Sequence, residues 1–139
     1  MLNPWSNNPA IALIEGQGAI VTGNAAQSPF ASGGGIGSDS MSDAILEAAN
    51  DANIRAILVR VDSPGGSAIA SDQVWNAIER AQEAGKPVII SMASMAASGG
   101  YYLAAPADYI LAHATTLTGS IGVLGGKVAL EGTFEMVGL

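Results

Sequence analysis

One serine stands where a reactive hydroxyl could be presented to a substrate. Ser98 is followed by Gly99 and Gly100, and the apolar run 87–90 shortly before it is typical of a buried parallel strand. The residues after the glycines predict a short helix that ends before Pro106. A serine between a strand and a helix lies beside backbone N–H groups that the helix leaves unpaired. This pattern indicates a nucleophile for acyl-transfer chemistry.

A second glycine turn follows the preceding predicted strand, with the sequence Asp-Ser-Pro-Gly-Gly-Ser over 62–67. Because the carboxyl ends of neighbouring parallel strands lie together, we expect the turn at Gly65 and Gly66 to meet the turn at Ser98 and Gly99. Backbone N–H groups from both turns could then converge on one substrate oxygen, as an oxyanion hole requires. Pro-Gly-Gly is also ordinary turn chemistry, so the residues alone leave both interpretations open.

Few residues could act as a base. The chain has one histidine, His113, and two lysines, Lys86 and Lys127. His113 falls at the end of a predicted strand with no evident acid to orient it, so a Ser-His-Asp triad is not predicted. Lys86 precedes a strand at the end opposite the serine, where we expect a solvated turn residue, and no motif supports Lys127. Asp62 and Asp108 are predicted to be turn and cap residues.

Composition excludes several classes of function. The net charge is −7 with only five Lys and Arg residues, which argues against nucleic-acid binding through a basic patch. The absence of cysteine excludes disulfides and thiolate metal sites, and we predict neither a metal nor a cofactor. The stretch 87–107 carries no formal charge, but its serines, glycines and Pro106 indicate strand, turn and helix rather than a membrane span.

Strand-like and helix-like segments alternate along the chain. The predicted strands are 10–15, 19–22, 54–61, 87–90, 109–112 and 120–124. The predicted helices are 38–50, capped by its leading Ser and Asp residues, 68–84, capped by Ser67, and 101–105. The glycine-rich segment 23–37 is predicted to be a surface loop. This alternation predicts an α/β fold with a mainly parallel sheet.

The two glycine turns belong to a longer, ordered set of motifs. Together with Ala-Pro-Ala-Asp at 105–108 and Thr-Leu-Thr-Gly-Ser-Ile-Gly at 116–122, the motifs at 62–67 and 91–102 resemble the signal peptide peptidase A family, also called protease IV. The resemblance extends roughly from Ala10 to Leu139. It implies a Clp/crotonase-like spiral of ββα units and a serine endopeptidase that works with a Ser–Lys dyad.

The resemblance also assigns individual residues. Ser98 matches the family's nucleophile, and the N–H groups of Gly66 and Gly99 match its oxyanion hole. It further implies apolar signal peptides as substrates, a homo-oligomer, and membrane association through segments outside this chain. The implied location is the bacterial inner membrane, with the catalytic domain facing the periplasm or the cell exterior.

The chain departs from the family at the base. Neither Lys86 nor Lys127 matches the dyad lysine, so the resemblance implies a base outside this chain. We accordingly expect residues 1–9 to be a linker or an artificial start, residues 10–139 to be a peptidase domain truncated at its C-terminus, and the chain alone to be inactive. Two alternatives stay open. One is a non-catalytic assembly half of the same family, and the other is a crotonase-like acyl-CoA enzyme whose paired amides stabilise an enolate.

Overall fold

The computed structural model describes residues 8–24, 34–123 and 125–126. Strands and helices alternate from residue 36 to residue 111, as the sequence predicts. The strands are β1 (Ala10–Gln17), β2 (Ile20–Val21), β3 (Ile36–Gly37), β4 (Ile54–Ser63), β5 (Val88–Ala97), β6 (Tyr109–Leu111) and β7 (Leu117–Gly119). The helices are α1 (Ser38–Asn50), α2 (Ala68–Glu83) and α3 (Gly99–Ala104).

The main sheet is parallel and has the strand order β1-β4-β5-β6, and β7 pairs with the last residues of β5. The central strands β4 and β5 are rich in β-branched residues because apolar side chains must fill the space beneath α1 and α2. Ile57, Val59, Val61, Val88 and Ile90 are fully buried there. The expected α/β fold with a mainly parallel sheet is therefore confirmed.

A second, two-stranded sheet lies beside the turn that follows β4. It pairs β2 with β3, and Ile20 of β2 also forms a parallel bridge with Gly66. The predicted loop over 23–37 is wrong at its end, because Ile36 is buried and belongs to β3. Residues 25–33 of that predicted loop lie outside the described residues.

Local capping signals determine where α2 begins and ends. Ser67 Oγ accepts the backbone N–H three residues on, at 3.2 Å, and the chain leaves the helix through Gly85, whose φ is 80°. The predicted side-chain capping of α1 is wrong. Gly37 is its N-cap, and Ser38 is buried in the first turn, where its Oγ accepts the Gly23 N–H at 3.1 Å.

Two strands differ from their predicted bounds by more than two residues. β5 continues to Ala97, so it ends directly at Ser98. The strand predicted at 120–124 is wrong, and β7 occupies 117–119 instead. Gly119 with φ 82° and Ser120 with φ 50° turn the backbone out of the ladder at this point. None of the helices in the described part of the chain is long and apolar enough to cross a membrane.

Candidate active site

Ser98 lies between the end of β5 and the first residue of α3. Its backbone has φ 50° and ψ −116°, a conformation that residues with a side chain rarely adopt. The Ser98 N–H donates to the Gly119 carbonyl at 2.8 Å, and the Ser98 carbonyl accepts the Tyr102 N–H at 2.8 Å. These two hydrogen bonds hold the strained residue from both sides, as is typical of functional sites. The side chain is half-buried at the junction.

The turn after β4 packs directly against this junction. Gly65 has φ 105°, and a Cβ placed on it would lie 2.8 Å from the Gly99 nitrogen and 2.8 Å from Ser98 Cβ. Since real Cβ atoms do not approach other atoms so closely, only glycine allows the two turns to meet. The buried hydroxyl of Ser63 accepts the Gly65 N–H at 3.1 Å and holds the turn in place.

Gly66 and Gly99 each leave a backbone N–H at the junction. The Ile20 N–H donates to the Gly65 carbonyl, and the Ile20 carbonyl accepts the Ser67 N–H, at 2.9 Å each. The Gly66 N–H takes no part in this pairing. Gly99 is the first residue of α3, where N–H groups have no acceptor within the helix. The Gly66 nitrogen lies 3.3 Å from the position of a Cβ on Gly99, and neither N–H has an acceptor among the described residues.

A buried hydroxyl on α2 supports the same junction. Ser71 Oγ donates to the Ser67 carbonyl at 2.9 Å, and it fills the space that a Cβ on Gly99 would need. Sequence reasoning missed Ser63 and Ser71 as supporting residues. The available signals were the position of Ser63 inside the motif at 62–67 and the position of Ser71 one helical turn after the cap.

The lysine that can be located does not approach Ser98. Lys86 Nζ donates to the carbonyls of Asp51 and Ile54, at 2.9 and 2.6 Å, near the start of β4 and therefore at the opposite end of the sheet. It is half-buried, so the expectation of a solvated turn residue is wrong, because its ammonium group donates to two backbone carbonyls near the start of β4. Lys127 lies outside the described residues.

His113 is also remote from the serine. Its Nδ1 lies 2.8 Å from Thr115 Oγ1 and accepts the Thr115 N–H at 3.3 Å. The neighbouring Thr116 Oγ1 donates to the Ala93 carbonyl at 2.8 Å, which places this segment beside the middle of β5. Ala93 precedes Ser98 by five positions, so this segment lies beside the middle of β5, whereas Ser98 follows its end.

The aspartates bind backbone or tyrosine groups. Asp108 Oδ2 accepts the Val88 N–H at 2.8 Å, and this hydrogen bond, followed by one from Gln82, lowers the pKa of Asp108. Tyr102 donates its hydroxyl hydrogen to Asp72 at 2.7 Å, and this hydrogen bond raises the pKa of Tyr102. Within the described ranges no group of three His, Cys, Asp or Glu side chains could hold a metal ion.

The parallel sheet that carries Ser98 at a strand–helix junction is similar in fold to solved structures of Clp-like serine peptidases. A mutant of ClpP1 from Listeria monocytogenes aligns with a TM-score of 0.50 and 21% identity, over 70% of this chain and 46% of its own. The membrane-bound stomatin-specific protease 1510-N aligns with a TM-score of 0.66 and 24% identity, over 88% of this chain and 52% of its own. A mutant of that protease in complex with a substrate peptide aligns at 26% identity and a TM-score of 0.63, over 86% of this chain and 49% of its own.

Sequence comparison narrows the class to a family. Residues 80–139 match the profile of peptidase family S49. Protease 4 of Salmonella typhi is 41% identical over 136 residues, which cover 98% of this chain and 21% of that relative. The chain is similar to members of peptidase family S49 over nearly its whole length, and the resemblance drawn from its motifs is confirmed. The chain spans about a fifth of the length of these curated relatives.

Proposed function

We propose that this chain supplies the nucleophile and the oxyanion hole of a serine endopeptidase, within a Clp/crotonase-like domain that begins at about residue 10. Ser98 Oγ is the attacking atom, and the N–H groups of Gly66 and Gly99 bind the oxyanion. The contact of Gly65 with Ser98 and Gly99 supports this proposal, because it packs the turn that carries Gly66 directly against the junction of Ser98 and Gly99.

The chemistry is acyl transfer in two steps. Ser98 Oγ attacks the carbonyl carbon of the scissile peptide bond while its proton passes to a neutral lysine. The oxygen that becomes negative in the tetrahedral intermediate accepts hydrogen bonds from the two glycine N–H groups. Collapse of the intermediate breaks the C–N bond, and the lysine returns the proton to the leaving amine. Water then attacks the ester with the lysine as base, which releases the acid and restores the serine.

We place the lysine base outside this chain. Two structures of the similar protease 1510-N are a serine-to-alanine and a lysine-to-alanine mutant, and the second contains a substrate peptide. In the present chain Lys86 is bound at the opposite end of the sheet, and no motif supports Lys127. A base supplied from elsewhere must be desolvated to be neutral at physiological pH, which a buried position beside Ser98 provides.

The substrates proposed are extended apolar peptides, in particular signal peptides that remain after secretion. The protease 1510-N is described as membrane-bound, which supports a location at a membrane. We place the complete protein at the bacterial inner membrane, anchored by segments outside this chain, with the catalytic domain facing the periplasm or the cell exterior.

A homo-oligomer is proposed from the face of the main sheet opposite α1 and α2, which is exposed in the described part of the chain. The strand register aligns Leu13, Leu58, Ile89 and Tyr109 in one row on the face opposite the helices. Leu13 is 60% and Tyr109 is 69% exposed, and such a row of apolar side chains is suited to pack against a second copy. Leu13→Glu should therefore lower the mass of the complete protein in light scattering. An unchanged mass would argue against this face as the interface.

The experiment that tests the catalytic proposal is labelling of the complete protein by a fluorophosphonate serine probe. We expect Ser98→Ala to abolish labelling. Ser91→Ala is the matched control, because Ser91 is a serine of the same strand without a glycine after it, and this variant should be labelled like the wild type. Lys86→Ala and Lys127→Ala should retain labelling. Persistent labelling of Ser98→Ala would overturn the serine assignment, and loss of labelling in Lys127→Ala would place the base inside this chain.

A further inference from the structure

The pairing register of β4 and β5 shifts by two residues just before the candidate nucleophile. Val61 pairs with Met92, an offset of 31 residue numbers, but the next pair is Ser63 with Ala96, an offset of 33. β5 therefore contains two more residues than β4 in this interval. The additional residues form a bulge at 93–95, and bulges next to active sites commonly re-aim a side chain.

The bulge determines which residues of the two turns lie level, that is, directly opposite each other in the register of β4 and β5. At an offset of 33, Gly65 lies level with Ser98 and Gly66 lies level with Gly99, which agrees with the contact between Gly65 and Ser98 Cβ. At the earlier offset of 31, Ser98 would lie level with Ser67, about 6.6 Å further along the sheet. The oxyanion donors and the hydroxyl would then not share one point.

Two side chains hold the bulge. On the β4 side, Asp62 Oδ1 accepts the Met95 N–H at 3.0 Å. On the β7 side, Thr116 Oγ1 donates to the Ala93 carbonyl at 2.8 Å. These groups lie outside the β4–β5 ladder, so the side chains replace the lost strand partners and stabilise the longer path.

We propose that Asp62 is a positioning residue of this peptidase: its bond to the Met95 N–H holds the two-residue bulge, and the bulge brings Ser98 level with Gly65. The inference rests on the proposed function, because alignment matters for catalysis only if Ser98 is the nucleophile. Asp62 touches neither substrate nor reacting atoms and acts through the backbone of β5.

The test uses Asp62→Ala and Asp62→Asn in the complete protein, with a peptide substrate and a fluorophosphonate probe. Asp62→Ala should lower kcat and the labelling rate by about 10²-fold, as expected for a misplacement of about 1 Å, and change KM less than about threefold. Asp62→Asn keeps an oxygen acceptor for the Met95 N–H, so its rates should stay within about fivefold of the wild type. Amide exchange at Met95 should accelerate about tenfold in Asp62→Ala only.

Two further variants separate positioning from general destabilisation. Asp51 Oδ1 accepts the Asn53 N–H at 2.7 Å at the far end of β4, so Asp51→Ala removes a similar hydrogen bond away from the junction. It should lower Tm as Asp62→Ala does and leave labelling unchanged. Thr116→Val removes the second clamp without changing side-chain shape, and it should also slow labelling. It provides the test if Asp62→Ala does not fold.

The possible failures are distinguishable. Suppose that Ser98→Ala abolishes labelling, so that the serine assignment stands. The positioning role is then overturned if Asp62→Ala retains normal kcat, or if Asp62→Asn is as impaired as Asp62→Ala. Equal losses in Asp51→Ala would also overturn it. If Ser98→Ala is still labelled, the proposed function fails, and the positioning role fails with it.

Discussion

Gly65→Ala perturbs the contact between the two glycine turns most directly. The new Cβ would lie 2.8 Å from the Gly99 nitrogen, 2.8 Å from Ser98 Cβ and 2.9 Å from the Ala97 carbonyl oxygen. Ordinary contacts begin near 3.5 Å, so the turns must separate by about 0.7 Å. Since none of these atoms is the end of a flexible side chain, the displacement must move the serine away from the Gly66 N–H. We expect a loss of about 10²-fold in acylation rate, equivalent to about 2.7 kcal/mol of transition-state stabilisation.

The same substitution also strains the backbone. At φ 105° an alanine costs about 1–3 kcal/mol, so the urea midpoint of Gly65→Ala should fall. Gly85→Ala is the matched control, because Gly85 has φ 80° at the end of α2 and a Cβ there meets nothing within 4 Å. We expect Gly85→Ala to lose stability but to keep its second-order rate of labelling by the fluorophosphonate probe.

The comparison of the two glycine variants can refute the reasoning. Labelling of Gly65→Ala within about threefold of the wild-type rate would mean that the two turns do not deliver their N–H groups to one oxygen. Equal losses of labelling in Gly65→Ala and Gly85→Ala would attribute the effect to stability alone.

Three further predictions concern the serine, the lysine and an aspartate. Ser98→Gly should abolish labelling yet raise the urea midpoint, because relief of strain at φ 50°, about 1–3 kcal/mol, outweighs the added backbone entropy of glycine, about 0.5–1 kcal/mol. Lys86→Met should destabilise the fold by about 1.5–3 kcal/mol in urea titration and leave labelling unchanged; lost labelling would contradict its structural role. The hydrogen bond from the Val88 N–H lowers the pKa of Asp108 in the folded protein. The ionised Asp108 therefore stabilises the fold above the unfolded-state pKa of about 4, and this stabilisation is lost as the pH falls through the lower pKa of the folded state. The Tm advantage of the wild type over Asp108→Asn should therefore shrink in acid, and a constant difference from pH 7 to pH 2 would refute this.

Short-range signals explain what could be predicted from the sequence. The start and end of α2 could be predicted from the cap at Ser67 and from Gly85, because both signals act within one helical turn. The position of Ser98 at a strand–helix junction followed from the apolar run and the two glycines that flank it. The role of Lys86 could not be predicted, because its acceptors are distant in the sequence, at Asp51 after α1 and at Ile54 in β4.

The bulge in β5 escaped prediction for a different physical reason. Side chains in a strand alternate with a period of two, so two additional residues return the apolar pattern to the same face and leave no trace in the periodicity. Only the pairing of Ser63 with Ala96 reveals the changed offset. The chemistry at Ser98 thus depends on a long-range property of the sheet as well as on its local turn. It follows that transplanting the motif at 91–102 onto another parallel sheet should fail to acylate unless an acceptor equivalent to Asp62 preserves the offset.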